Sequence, residues 1–138
     1  MANISLKDNI YAYLNGQSTL TALLDTGGIG WGQMPDTAVT KKMIVYSMLS
    51  DVRIADSKLR NQRWRFWICI PDSTSGPKAA ALAAGLKLLD LMHEVRGSFG
   101  STYIHFVENI GNADPFYDEA SASWILIQDY NLKMRTLQ

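Results

Sequence analysis

Between Arg63 and Ile70 the chain alternates with a period of two: Trp64, Phe66, Ile68 and Ile70 fall on one side, Arg63, Arg65, Trp67 and Cys69 on the other. Successive side chains of a strand point to opposite faces, so the segment predicts a strand with one continuous apolar face and one mixed face. Such a face requires a covering layer, and the sequence offers one at once. Pro71 ends the strand, Thr74 or Ser75 can cap a helix, and Pro77 is tolerated in its first turn. The helix is expected to run to about Val95, with Gly97 beyond it. At 3.6 residues per turn, Lys87, Asp90 and Glu94 form a narrow polar stripe while Leu82, Leu86, Leu88, Leu89 and Met92 occupy much of the rest. One side of the helix is expected on the sheet. The remaining apolar side either meets a neighbour or reflects helix propensity alone, and Ala79, Ala80, Ala81, Ala83, Ala84 and Gly85 would let backbones approach closely.

The rest of the chain follows the same two periods. Leu6, Ile10, Tyr13 and Leu14 share a helical face, with Ser5 placed as N-cap and Asp8 three residues on. Ser18 opens a second short helical piece carrying Leu20, Leu23 and Leu24, which Gly27 and Gly28 end. A turn then leads into a short strand around Ile29 to Gln33. Lys42 to Leu49 reads as a strand, Ser50 to Gln62, long for a hairpin loop, as an extended, protruding hairpin, and Gly97 to Gly100 as a turn. Thr102 to Ile110 and Ser123 to Met134 read as strands separated by the acidic, turn-rich loop Gly111 to Glu119. The expected fold is therefore α+β, an antiparallel sheet packed against one long helix with short N-terminal helices, in a single domain over residues 1–138.

Thirteen Lys and Arg balance thirteen Asp and Glu, so the strongly basic footprint of a phosphate-neutralising duplex binder is absent and no specific nucleic-acid binding is expected. Cys69 is the only cysteine, so no internal disulfide, zinc ribbon or CxxC pair can be assembled, and a reducing compartment fits best. The N-terminal stretch does not read as a secretory signal, and no segment reaches the ~20 apolar residues of a membrane span. Neither export nor a membrane is expected.

No constellation for catalysis emerges. Gly27, Gly28, Gly30 and Gly32 are not spaced as GxGxxG after a strand, and GxSxG, HExxH and GxxxxGK[ST] are absent. His93, near the helix end, and His105, in a strand, could be paired on paper with Cys69, but Cys69 among Trp67, Ile68 and Ile70 reads as a small buried hydrophobe. Asp118 with Glu119, and Asp90 with Glu94, read as solvated surface rather than facing acid and base groups. The expectation is no enzyme, no metal and no cofactor. Charge is unevenly distributed, however. Asp51 to Arg65 holds five basic residues, Arg53, Lys58, Arg60, Arg63 and Arg65, against two acidic ones, while Glu108 to Glu119 holds four acidic residues and no basic one. One basic and one acidic edge suit head-to-tail association of copies; two independently solvated loops, or pairing of the two within one chain, account for the pattern equally well.

The order of these features resembles a known family: short N-terminal helices, a Gly-rich turn and Pro35, the Ile44-Val45-Tyr46 strand, the run Arg63-Trp64-Arg65-Phe66-Trp67-Ile68, the Ala/Leu helix, and Asp114-Pro115-Phe116-Tyr117-Asp118 before a long last strand. Together they resemble the tail terminator, or tail-completion, proteins of tailed bacteriophages over nearly the whole chain. The family often carries a proline before the Val-Tyr strand, where this chain has Lys41-Lys42-Met43. The resemblance implies a virion protein that forms a ring, commonly a hexamer, on the head-proximal end of the tail tube, stops tube growth and joins tail to head. It implies as partners further copies of the chain, the tail tube protein and a head-completion or connector protein, with host cytoplasm as the site of assembly. Under it, Arg53, Lys58, Arg60 and Arg63 would contact a neighbouring subunit or the tube, with Asp114, Asp118 and Glu119 on the opposing side. The rival expectation is a small cytoplasmic ligand-binding or regulatory module with a pocket around Tyr46, Trp67 and Trp124.

Overall fold

The computed structural model describes residues 6–54, 58–99 and 102–136. Its elements are α1 (Leu6–Asn15), α2 (Ser18–Thr21), β1 (Ile29–Trp31), β2 (Met43–Arg53), β3 (Leu59–Pro71), α3 (Pro77–His93), β4 (Gly97–Phe99), β5 (Thr102–Asn112), β6 (Phe116–Asp118) and β7 (Ser123–Thr136). The strands form one sheet in the order β1-β2-β3-β7-β5-β4, with β6 also pairing to β7.

The expected architecture needs correction. The chain is mostly β, its sheet is mixed and curled into a half-barrel, and it is not an antiparallel sheet carried on one long helix. The mixture comes from β1, which runs parallel to β2, whereas the β2-β3-β7-β5-β4 pairings are antiparallel. The helix is short beside what it covers: the 17 residues of α3 rise roughly 25 Å, and the 14 of β7 extend about 45 Å. Strands also run where loops were expected. The Ser50 to Gln62 stretch is the extended hairpin expected, but most of it is strand that continues β2 and β3, pairing Ser50 with Arg63 and Arg53 with Arg60. Gly97–Phe99 and Phe116–Asp118 are short strands inside the expected turn and acidic loop. Bulges between Met48 and Ser50, Ile104 and Phe106, and Asn109 and Gly111 add the local twist that curls the sheet. The proposed cap Ser5 and the turn residue Gly100 lie outside the described residues.

Both faces of the sheet are covered at the end where β3 meets α3. On one face Ile44, Tyr46, Trp64, Phe66, Ile68, Ile70, Leu126, Tyr130 and Leu132 join Ile10, Leu14, Leu88 and Met92 in the main core. On the other, Val45, Trp67, Cys69 and Ile125 pack with Val39, Met34 and Met43, so the β1–β2 connection roofs the mixed face of β3. Val39 N–H donates to the Ser121 carbonyl at 2.8 Å, tying that roof down. The start of β2 is set from the glycine turn: the Asp25 carboxylate accepts the Lys42 N–H at 2.7 Å.

Small residues let α3 close on the sheet as its composition suggested. Ala81, Ala84 and Gly85 are buried, and a Cβ at Gly85 would collide with Leu126 and Gln128. The polar atoms in this contact are satisfied: Gln128 Nε2 donates to the Gly85 carbonyl at 2.8 Å and Tyr130 OH donates to Gln128 Oε1 at 2.7 Å. Tyr46 OH donates to the Lys7 carbonyl and Tyr13 OH to the Leu91 carbonyl, which fixes α1 against both sheet and helix. Burial lifts the Tyr46 and Tyr130 hydroxyls well above the ordinary phenol range, so both remain hydrogen-bond donors at any physiological pH.

Candidate assembly surface

The hairpin tip and the acidic loop after β5 occupy opposite ends of the long strands, whereas Glu108 shares the cross-strand row of Asn131, Arg63 and Ser50. Leu59 pairs with Arg135 at the hairpin end and Pro71 with Ser123 at the other, and β6 of the acidic segment pairs at Ser123–Ile125. Twelve strand residues at ~3.3 Å each put about 40 Å between those rows. Within one chain, therefore, the hairpin and the acidic loop are not brought together.

The individual residues differ in what they leave available. Arg53, at the end of β2, and Lys58, beside the hairpin tip, are exposed. Arg60 Nη1 donates to Asp51 Oδ2 at 3.0 Å across the β2–β3 ladder, an exposed pair worth little to stability. Arg63 donates through Nη2 to Asp129 Oδ2 at 2.9 Å. Asp114 and Glu119 are exposed. Asp118 is committed to its turn, where its carboxylate accepts the Ser121 N–H at 3.0 Å and the Ser121 hydroxyl at 2.6 Å.

Charge counting along the chain missed Asp129, the acceptor at the centre of the hairpin-side face. Arg65 meets it through Nε at 2.8 Å and Nη2 at 2.9 Å, and Arg63 adds the third bond. Strand parity held the signal: Arg63, Arg65 and Asp129 all sit on the face opposite Trp64 and Phe66, and Arg65 pairs with Asp129 in register. Hydrogen bonds from Arg65, with Arg63 second among the favourable contacts, hold the Asp129 carboxyl below its ordinary range. Two guanidinium groups against one carboxylate leave this patch net positive.

A lowered folded-state value means that the ionised form is favoured by folding. The contribution is complete above the ordinary carboxylate pKa of about 3.9 and disappears as pH falls through the lowered value in the folded protein. Asp129→Asn is expected to cost about 1–2 kcal/mol at pH 7, because charge-assisted bonds are lost but both arginines retain access to water. The same variant should flatten the acid limb of stability against pH by one carboxylate, measurable by urea unfolding at a series of pH values.

Cys69 is buried in the second core, and burial pushes its thiol up to about 12. It therefore lacks the thiolate character of a nucleophile. No group of three or more His, Cys, Asp or Glu side chains able to hold a metal occurs among the described residues. The pocket imagined around Tyr46, Trp67 and Trp124 is not formed: Tyr46 and Trp67 lie in the cores on opposite faces of the sheet. Trp124 stands by α3, its ring 5.8 Å from that of Tyr117. An apolar groove of about 200 Å³ does lie elsewhere, between α1 and the hairpin, lined by Leu6, Trp31, Met48 and Trp64.

Large apolar side chains are exposed on α3, at Leu82 and Leu86, and along the margins of the sheet. Met48, Leu49 and Val52 on β2 and Phe106 on β5 are large apolar side chains in the open. Val52 and Phe106 share the face of Arg63, Arg65 and Asp129, one on each side of it, whereas Met48 pairs with Trp64 and lies on the other face.

No protein-family model matches this chain, and no curated protein matches it. Solved structures do. A chain from the virion of a native gene transfer agent particle aligns with a TM-score of 0.67 over 91% of this chain and 91% of that one, at 12% sequence identity. At that identity the likeness is one of fold.

Proposed function

We propose that this chain is a structural protein of a phage-like virion, a ring-forming cap on the head-proximal end of the tail tube that ends tube growth and joins tail to head. The observation that carries the reading is the fold shared over nine-tenths of both chains with a gene transfer agent virion component. The order of sequence features that resembles the tail terminators supports the finer assignment. Exposed apolar side chains on opposite margins of one sheet suit a subunit that meets its own copies by head-to-tail contacts.

In this reading the protein acts by binding and catalyses nothing, with no cofactor. Its partners are further copies of itself, the tail tube protein and a head connector, and DNA passes without being held. The hairpin end and the acidic end then face along the strand direction, so Arg53, Lys58 and Arg60 on one end and Asp114 and Glu119 on the other are the groups offered to abutting layers. Weak contacts of this kind gain from simultaneous engagement on a tube end, so the ring forms on its template even where the free chain is monomeric. Particles made without the chain should show overlong tails or unjoined heads and tails in electron micrographs. Normal virions would exclude the role.

A further inference from the structure

Among the described residues, the long strands β2 and β5 each extend past the short strand beside them and leave backbone with no strand on its outer side. β1 pairs with β2 only at Ile44–Tyr46, and β4 pairs with β5 only at Thr102–Ile104. No described strand runs along the outer edge of β2 from Ser47 to Val52, or along that of β5 from His105 to Glu108. Bare edges of this length are templates for pairing with another chain.

Three features of the sheet say what that chain is. The unit β2-β3-β7-β5 is antiparallel throughout and has an even number of strands, so its two edges run in opposite directions. A copy set beside it in the same orientation, as rotation about an axis along the strands requires, therefore brings β2 antiparallel to β5 with no inversion. The bare windows also share the same height. Val52 pairs with Asn61, Asn61 with Lys133 and Lys133 with Phe106, which makes Val52 and Phe106 the two ends of one cross-strand row on one face. They are 58% and 44% exposed. Placed side by side without stagger, the Phe106 of one copy lies opposite the Val52 of the next, an aromatic against a β-branched side chain.

The charges agree with this register. The neighbouring row on the same face runs Glu108, Asn131, Arg63, Ser50. Across the junction Glu108 faces Ser50 of the next copy, with that copy's Arg63 one strand further, about 10 Å away in backbone terms and within reach of two long side chains. The Glu108 carboxylate then faces the net-positive patch of Arg63, Arg65 and Asp129.

We propose that copies of this chain join edge to edge, β5 of one pairing antiparallel with β2 of the next through the Phe106–Val52 and Glu108–Ser50 rows, so that the sheet continues from subunit to subunit. This deepens the ring reading and rests on it only for closure. Directly opposed antiparallel residues have Cα separations of about 4.5–5.5 Å, inside the range a disulfide bridges.

The test is oxidative cross-linking of the full chain carrying Val52→Cys with Phe106→Cys, in concentrated solution and in purified particles, read on a non-reducing gel. Both positions are exposed, so the core is untouched, and circular dichroism matching the parent chain checks this. The buried Cys69 stays out of the reaction. A ladder extending beyond dimer in the double variant, in either preparation, with no species above dimer in either single variant, is the expected result. Dimers alone, or monomers alone in both preparations, would overturn edge pairing. Finding the uncrosslinked protein in particles would still leave the virion reading standing, and a ladder from a chain absent from particles would uphold pairing without it.

Discussion

Trp64→Ala should be the most damaging single truncation in the molecule, lowering stability by about 3–5 kcal/mol against a total of roughly 5–15 for a domain of this kind. Trp64 is 2% exposed and sits where three elements meet. Its ring stacks with Tyr46 at 5.9 Å and takes Trp31 edge-on at 5.5 Å, while its Nε1–H donates to Gln62 Oε1 at 3.0 Å. Removing it leaves a cavity under α1 and β1 together, because Trp31 also packs edge-on to Tyr46. The melting temperature should fall by more than about 10 °C. Trp64→Phe, which keeps the stacked ring but loses the indole bond, should lose less than half as much, and equal losses for the two would mean that packing is not the cause.

Gly28→Ala is the second large effect, and it arises from backbone rather than side chains. A Cβ at Gly28 would stand 2.7 Å from the Lys42 carbonyl oxygen and 2.8 Å from that of Asp25. Both oxygens belong to the turn that sets β1 beside β2. Lys42 O accepts Asp25 N–H at 3.0 Å, and Gly28 O accepts Ile44 N–H at 2.6 Å, so relief on one side breaks pairing on the other. Overpacking costs typically about 1–3 kcal/mol, and with no flexible side chain to move aside the upper end, about 3 kcal/mol, is expected. Gly30, where an added methyl group would meet nothing within 4 Å, is the control: Gly30→Ala should change the urea midpoint little. A similar midpoint for both variants would refute the steric account.

These sites mark how far the residues alone could carry the fold. The Arg63 to Ile70 alternation was readable because its apolar side is packed on a helix, and the Pro77 helix because proline and glycine punctuate it. Ser50 to Gln62 was readable as an extended hairpin but the reach of its strands was not, for a physical reason: at the hairpin end the covering layers have run out, so Ser50, Asp51, Asn61 and Gln62 alternate nothing although they lie in strands. The parallel pairing of β1 is a long-range choice that three residues cannot announce. Gly97–Phe99 and Phe116–Asp118 are held by the strands beside them rather than by their own propensity.

The candidate surface was legible in the same uneven way. Arg60 and Arg63 do lie on the hairpin side, but their engagement with Asp51 and Asp129 depends on register that a charge count does not contain. Asp118 looked like a free acid and serves its own turn instead. The bare edges were invisible in sequence, since an edge strand and a central strand of one composition differ only in what lies beside them. Val52 and Phe106, unremarkable in the chain, become a pair only once three rungs of the ladder connect them.

The role assigned to this chain is tested most directly by the tail-length distribution of particles assembled without it. If it caps the tube, tails lacking it should be longer and broadly distributed in negatively stained fields, with heads and tails found apart, and the chain supplied in trans should restore a single length. Tails of unchanged length joined to full heads would contradict the account.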